Sequence, residues 1–460
     1  MKTTGLHAVI ASLVAGLLLA GCGAKSETAD AESNVKLIAG FEDAEVPKDW
    51  DAGPGKLSIS EDHATEGKHA LCVRLTKGQY PGVGVQLHGA DWSSFDALRF
   101  SVYNTADDRR MSIRIDDVKS TKYSTRYNLE GRNTGVTLKH GANEVELSIG
   151  SLRQGTPESR GLDVTAIREF KIFFGGLDQS LTLFLDNVRL VRSPRTGPDQ
   201  RVIADFDDVK GKMTPSAGTV LRTRISPDRP GMELGIEMTP EATYPGISLD
   251  VPSDWLGYDF LTFELIRPNT TAPASRRFSL KVVDGTGRRQ TFGMAAKGPL
   301  YTVTLPVEAA GFTALGRISE LVIFWGKPDK TRLIYLDNVR LIRAKHTNHP
   351  SRHDEANATD RLALDFSGVR FGRNTCFMVT AWIPLTDGTH RVVRCNAAAK
   401  KQTSYSIDAD AFVDYAQNKP VRLWVVFLDH GVWNVCERAV TLEPTGQTKL
   451  VFTDSDWFTR

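Results

Sequence analysis

The sequence predicts an all-β chain: two copies of one β-sandwich in tandem, then a smaller sandwich at the C-terminal end. Three observations carry that prediction. First, Leu185-Asp186-Asn187-Val188-Arg189-Leu190 returns letter for letter at Leu336-Asp337-Asn338-Val339-Arg340-Leu341. Second, matching stretches precede each hexapeptide in the same order. Ile38 to Asp43 answers to Ile203 to Asp208, and Tyr80-Pro81-Gly82-Val83 to Tyr244-Pro245-Gly246-Ile247. Asp91-Trp92 answers to Asp254-Trp255, and Phe170 to Gly175 answers to Leu321 to Gly326. Partners lie roughly 150–165 residues apart, the period of a whole domain rather than of a solenoid unit. Third, the dominant hydrophobic period is two, and Gly, Pro and Asn clusters punctuate it. That is the pattern of half-buried antiparallel strands joined by turns.

The bulk numbers agree. At 460 residues, the chain has room for about three domains of ~150 residues. Charge is balanced at +2, and 41% of residues are apolar against 24% charged, as in ordinary globular domains. With no strong field and no basic run interleaved with aromatics, no nucleic acid partner is expected.

Residues 1–22 read as a targeting segment outside the fold. Lys2 supplies the positive charge, and the apolar run from Ala8 to Ala20 is shorter than the roughly 20 helical residues a bilayer needs. Leu19-Ala20-Gly21-Cys22 follows, and it resembles the lipobox of bacterial lipoproteins. The resemblance implies that Cys22 becomes the lipidated N-terminus of the mature protein. Two or three acyl chains anchor stably where one does not. Gly23 follows the cysteine, which resembles the outer-membrane sorting pattern of Gram-negative lipoproteins. An exported, lipid-anchored cell-envelope protein is therefore expected, held off the membrane by a flexible tether at 23–34.

The first sandwich is placed at 35–194. Leu98-Arg99-Phe100-Ser101-Val102-Tyr103 alternates, as do Met111 to Asp116, Val145 to Ile149 and Leu181 to Asp186. Many short strands at regular spacing make a sandwich or jelly roll. By this alternation Arg99, Ser101 and Tyr103 point away from the core, as do Ser112, Arg114 and Asp116, and Glu169, Lys171 and Phe173. Tyr123 and Tyr127 share a face of the next stretch, which Arg126 joins if a bulge intervenes.

The opening strand ending in Phe-Glu-Asp, the Trp92 before Phe95-Asp96-Ala97-Leu98-Arg99-Phe100, the Leu138 to Val145 stretch and the closing hexapeptide together resemble the galactose-binding-like jelly rolls. That superfamily includes carbohydrate-binding modules of families 11 and 30 and the CIA30-type domains. The resemblance spans nearly all of 35–194, and its motifs are structural. It implies a structural calcium ion joining the opening and closing strands. The matching carboxylates are Glu42 and Asp186, with Asp43 beside them, and Asp207 and Asp337 in the second copy. The other reading makes them exposed acids or caps on nearby backbone, since calcium takes 6–8 oxygens. The resemblance also implies a saccharide-binding sheet face. Its candidate residues are Arg99, Tyr103, Arg114, Asp116, Tyr123, Arg126, Tyr127 and Lys171. Planar side chains stack on sugar rings, and charged or amide groups bond hydroxyls. The alternative is a solvated face with snorkelling cations.

The second sandwich is placed at 201–343. Val322 stands where Lys171 did, so its face is expected to bind less. Residues 344–359 read as a polar linker. Its histidines, His346, His349 and His353, are interrupted by Pro350 and lack a cysteine, so no metal is expected there. Residues 360–460 read as the smaller sandwich, with strands expected at Cys376–Ile383, Arg391–Cys395, Val421–Leu428 and Trp433–Val440 and an immunoglobulin-like arrangement as one option. Cys72 is expected to be a small buried residue, and Cys376, Cys395 and Cys436 allow three alternative single pairings. No nucleophile elbow, metalloprotease helix or phosphate loop is present in the sequence. The expectation is a non-catalytic protein that binds carbohydrate. An adaptor lipoprotein holding protein or cell wall, and a polysaccharide-active enzyme, are the alternatives.

Overall fold

The computed structural model describes residues 34–457 apart from 123–124, 130–134, 155–160, 194–198, 208–212, 228–229, 267–274, 298, 312, 350–359, 370–375, 399–403 and 430–431. Cys22, Tyr123 and His353 lie outside the described residues. The fold is built almost wholly of strands. The first copy contains β1 (Val35–Ala39), β2 (Trp50–Asp51), β3 (Lys56–Ser60), β4 (Ala70–Leu75), β5 (Gly82–Ala90), β6 (Ala97–Asn104) and β7 (Arg109–Asp117). It continues with β8 (Tyr127–Leu129), β9 (Val136–Leu138), β10 (Gly141–Ser148), the short helix α1 (Ile149–Gln154), β11 (Ile167–Phe173) and β12 (Leu181–Val191). One sheet runs β10-β6-β12-β4-β3 with β1 also on β12; the other runs β2-β5-β11-β7-β8 with β9 on β7.

The second copy contains β13 (Gln200–Ala204), β14 (Met213–Pro215), β15 (Thr219–Ile225), β16 (Met232–Met238), β17 (Gly246–Asp250) and β18 (Phe260–Ile266). Then come β19 (Ser275–Asp284), β20 (Arg289–Lys297), β21 (Leu300–Pro306), β22 (Ile318–Phe324) and β23 (Arg332–Ile342). Its sheets run β21-β18-β23-β16-β15, with β13 on β23, and β14-β17-β22-β19-β20. Strand for strand, this is the order of the first copy.

The repeated hexapeptide forms the middle of the central strand in each copy, and each of its letters has a task. In β12, residues 181–185 pair with β4, whereas 188–191 pair with β1. The strand changes partner at Asp186-Asn187, where its register against β6 also shifts. Asn187 sits there in the left-handed region (φ 51°), and Asn338 repeats it (φ 54°). Asparagine tolerates that conformation better than branched or bulky residues. Leu185, Val188 and Leu190 are buried, as are Leu336, Val339 and Leu341. The arginine reaches back to the asparagine: Arg189 donates to the Asn187 carbonyl at 3.1 Å, and Arg340 to the Asn338 side chain.

The third region contains β24 (His346–His349), β25 (Asp360–Gly368), β26 (Cys376–Pro384), β27 (His390–Ala398), β28 (Ser404–Asp408), β29 (Val421–Asp429), β30 (Val432–Val440) and β31 (Thr448–Thr453). A three-stranded sheet β28-β25-β31 covers its own core around Leu362, Phe366, Val379, Val425 and Phe452. The opposing strands are not a separate sheet. Phe292 and Gly293 of β20 pair in parallel with Trp433 and Asn434 of β30. A 10-stranded sheet thus runs β14-β17-β22-β19-β20-β30-β29-β26-β27-β24 through both regions.

One expectation needs correction here. His346–His349 is a strand paired in parallel with β27, not linker. The His346 side chain, 5% exposed, pairs with Asp259 at 2.6 Å and meets the edge of Trp382, and these contacts, made by residues distant in sequence, hold the segment against the sheet. Cys436 is buried, and Cys72 is a buried free thiol; the side chains of Cys376 and Cys395 lie outside the described residues.

The pieces pack closely. The apolar core is continuous through both copies and takes in Met378, Val426, Trp433 and Val435 of the third region. Phe260 of the second copy sits between Trp382 and Trp424, with ring centroids 4.6 and 4.8 Å away. Helix α1 presses on the turn Val307–Ala310. A Cβ on Gly150 would stand 2.9 Å from the Glu308 Cβ, and one on Gly311 would stand 2.8 Å from the Ser151 Cβ. Only bare backbone fits that approach. Gly311→Val should therefore lower stability by about 2 kcal/mol through overpacking. Gly326→Ala, with nothing within 4 Å of the added Cβ, should be near neutral, and urea midpoints of the two variants check the difference.

Candidate functional site

The eight candidate face residues do not share one face. Alternation tells inside from outside, but not which of two sheets a strand joins. Arg114, Asp116 and Lys171 do come together, on the outer side of the β2-β5-β11-β7-β8 sheet. Lys171 stands opposite Arg114, and Glu169 opposite Asp116. Arg114 pairs with Glu169 and with Asp116, the latter at 3.2 Å, and Arg126 approaches Asp116 at 3.7 Å from the turn before β8. Burial pushes the Asp116 carboxyl above its ordinary range; Arg114 pulls it back and Glu169 adds to the rise.

The other candidates belong elsewhere. Tyr127 is fully buried and donates its hydroxyl to the Ser151 carbonyl at 3.1 Å. Its register with Ile115 turns the ring into the core. Arg99 and Tyr103 lie on β6, in the opposite sheet. Arg99 pairs with Glu146 at 2.8 Å, and Glu146 accepts from the Gly316 amide of the second copy at 2.8 Å, so this patch is an interface between copies. Tyr103 stacks on His63, ring centroids 3.5 Å apart, and meets Phe184 edge-on.

Sequence reasoning put Phe173 outward but passed over the tyrosine beside it. Val83 and Val85 point inward, so Gly82, Gly84 and Gln86 point out beside Phe173 and Lys171. Phe173 lies across Gly82, where a Cβ would meet its own Cβ at 2.7 Å. Tyr80, 64% exposed, stands edge-on to Phe173 at 6.4 Å between centroids. The second copy repeats each part. Phe324 lies across Gly246 with the same 2.7 Å approach, and Tyr244, also 64% exposed, stands edge-on at 6.0 Å. The signal was the repeated Tyr-Pro-Gly, legible as a repeat but not as a platform. Around it the copies differ. Val322 and Val283 occupy the positions of Lys171 and Asp116, and Lys281 that of Arg114.

Four of the five candidate metal carboxylates hold backbone. Asp186, 1% exposed, accepts from the Thr65 and Glu66 amides at 2.7 and 3.0 Å, the Thr65 hydroxyl at 2.8 Å and the Asn187 amide at 2.6 Å. Glu42 accepts from the Lys68 and His69 amides at 2.9 and 3.3 Å, and the Lys68 amide holds its carboxyl below the ordinary range. Asp207 repeats this on the Met232 amide at 2.6 Å. Each of these two acids covers a left-handed glycine, Gly67 (φ 71°) or Gly231 (φ 106°). Asp337 accepts from the Asn338 amide at 2.7 Å. Asp43 is exposed. Among the described residues no three His, Cys, Asp or Glu gather around one point. Calcium takes 6–8 oxygens, and the oxygens of Asp186 and Glu42 already accept from backbone N–H donors.

No protein-family model and no curated protein matches the chain. Among solved structures, it is similar to the N-terminal CBM22-1-CBM22-2 tandem domain from Paenibacillus barcinonensis Xyn10C. That match is 16% identical over 66% of this chain and 96% of that chain, with a TM-score of 0.27. It is similar to the family 11 carbohydrate-binding module from Clostridium thermocellum, 16% identical over 35% of this chain and 96% of that one, with a TM-score of 0.27. An exo-beta-agarase matches at 16% identity and a TM-score of 0.27 over 34% of this chain. The match spans only 25% of the agarase. At these TM-scores the likenesses carry no argument about ligand.

Asp186→Ala should destabilise the protein by about 2 kcal/mol, because it removes the acceptor of the part-buried Thr65 and Glu66 amides; chemical denaturation measures it. Melting curves in calcium and in chelator should coincide, since amides already satisfy the carboxylates. A higher midpoint in calcium would instead establish a site.

Proposed function

We propose that the chain is a non-catalytic, lipid-anchored envelope protein that binds polysaccharide on the outer sheet faces of its two copies. The observation that carries this reading is the duplicated platform, Tyr80 with Phe173 and Tyr244 with Phe324. A solvent-facing tyrosine propped by a second ring is a surface for the apolar face of a sugar. In the first copy Arg114, Lys171, Asp116 and Glu169 add donors and acceptors for hydroxyls. The second copy offers mainly the rings, so its contribution is stacking. Two weak sites on one rigid body raise affinity for a polymer that spans both. Cys22 as the lipid anchor and export to the cell envelope complete the proposal, on the strength of the lipobox.

Affinity electrophoresis of the full chain through a panel of soluble polysaccharides tests it. Tyr80→Ala or Tyr244→Ala should each weaken retardation about fivefold, which is about 1 kcal/mol, and the double variant should migrate unretarded. Equal retardation of the double variant would remove the platform reading. Release of reducing ends from any polymer would replace binding with catalysis.

A further inference from the structure

A second site lies away from the sheet faces, where the three regions meet. A cavity of about 350 Å³ is walled by both copies and the third region. Its aromatic lining comes from Phe95, Tyr258 and Trp382. That size and mixed lining at a domain junction suit a small-molecule pocket.

Three arginines, Arg153, Arg192 and Arg394, line it with three acids, Asp96, Asp259 and Glu308. Arg394 of β27 holds the Glu308 carboxylate with its Nε at 2.6 Å to both oxygens. Asp259 holds His346. Arg153 of α1 has no such partner. It donates to the Ser93 carbonyl at 2.8 Å, and among the described residues no carboxylate forms an ion pair with it. A guanidinium has five N–H donors, and this one faces the cavity beside a second guanidinium. Burial pushes Arg153 down to about 10, Arg394 adds to the push, and Glu308, Asp96 and Asp91 oppose it. Arg153 itself is half-buried. Two arginines from different regions at one cavity wall form a fork that takes a planar or tetrahedral oxyanion.

We propose that this cavity binds an oxyanion, the carboxylate of a uronic acid or a sulfate group, on Arg153 with Arg394 behind it and an aromatic wall for an attached sugar ring. The site is separate from the Tyr80 and Tyr244 platforms. Binding here locks the three regions together, since each contributes a wall.

Thermal melting of the full chain tests this at constant ionic strength with glucuronate, sulfate or glucose. A ligand that binds only the folded state should raise the midpoint by at least about 2 °C when saturating. Glucuronate, sulfate or both should do so, and glucose should not. A shift with glucuronate alone assigns the site to a sugar carboxylate. A shift with sulfate alone assigns it to sulfate. Arg153→Gln should abolish the shift while melting no lower than the parent without ligand, because among the described residues no ion pair is broken. Tyr80→Ala/Tyr244→Ala should keep the shift, so that failure of the platforms and failure of the cavity are read apart. The proposal falls if neither anion shifts the parent or if glucose shifts it equally. It falls too if Arg153→Gln keeps the shift or melts several degrees lower without ligand.

Discussion

The change of partner inside each central strand is the constraint on which the rest depends. β12 begins on β4 and ends on β1, and β23 begins on β16 and ends on β13. A continuous strand cannot pass from one neighbour to the next without a break in its ladder. The break is an aspartate followed by a left-handed asparagine. It frees the aspartate side chain from regular geometry, and in the first copy that side chain gathers the loop before β4. Closing strand and loop thus meet at one buried carboxylate. A second pair of left-handed residues, Phe41 (φ 59°) and Phe206 (φ 64°), closes the same end of each copy. A bulky residue adopts that conformation only when its surroundings insist, and both rings are buried.

That rigid frame explains why the sheet faces are free to differ. The core side of each face is set by packing, whereas the outer side carries only what solvent or a partner asks of it. The first copy keeps a mesh of Arg114, Asp116, Glu169 and Lys171 there. The second replaces half of it with valines and gives its edge strand β20 to the third region. Both keep the glycine that lets a phenylalanine lie across the strand and the exposed tyrosine beside it. A glycine that admits a ring is a packing requirement; a tyrosine left two-thirds bare in both copies is not.

The junctions show the same economy of backbone. Helix α1 and the turn after β21 approach through Gly150 and Gly311, where side chains would collide. Phe260 is clamped between two tryptophans of the third region. The shared 10-stranded sheet leaves β20 and β30 no open edge at their contact, which protects both from pairing with other chains. The arginine cavity lies among these contacts, so its shape depends on all three regions at once.

Local pattern was enough for the all-β character, the duplication and the strands of the last region, because a period of two and the turn residues between strands act over a few residues. Cys376–Pro384 and Val421–Asp429 lie within a residue of where alternation put them. The same pattern assigned Arg99 and Tyr103 to the outside correctly but to the wrong sheet, and it turned Tyr127 outward when its register with Ile115 turns it in. It read His346 as linker, because a histidine among polar residues gives no sign that Asp259 waits for it across the fold. By itself the sequence determined where the strongly alternating strands lie and which motifs recur. Only the tertiary structure decided which strands are neighbours, that two regions share one sheet, and which outward side chains share a face. Those outcomes depend on pairing between residues far apart in the chain, and no short-range periodicity records it.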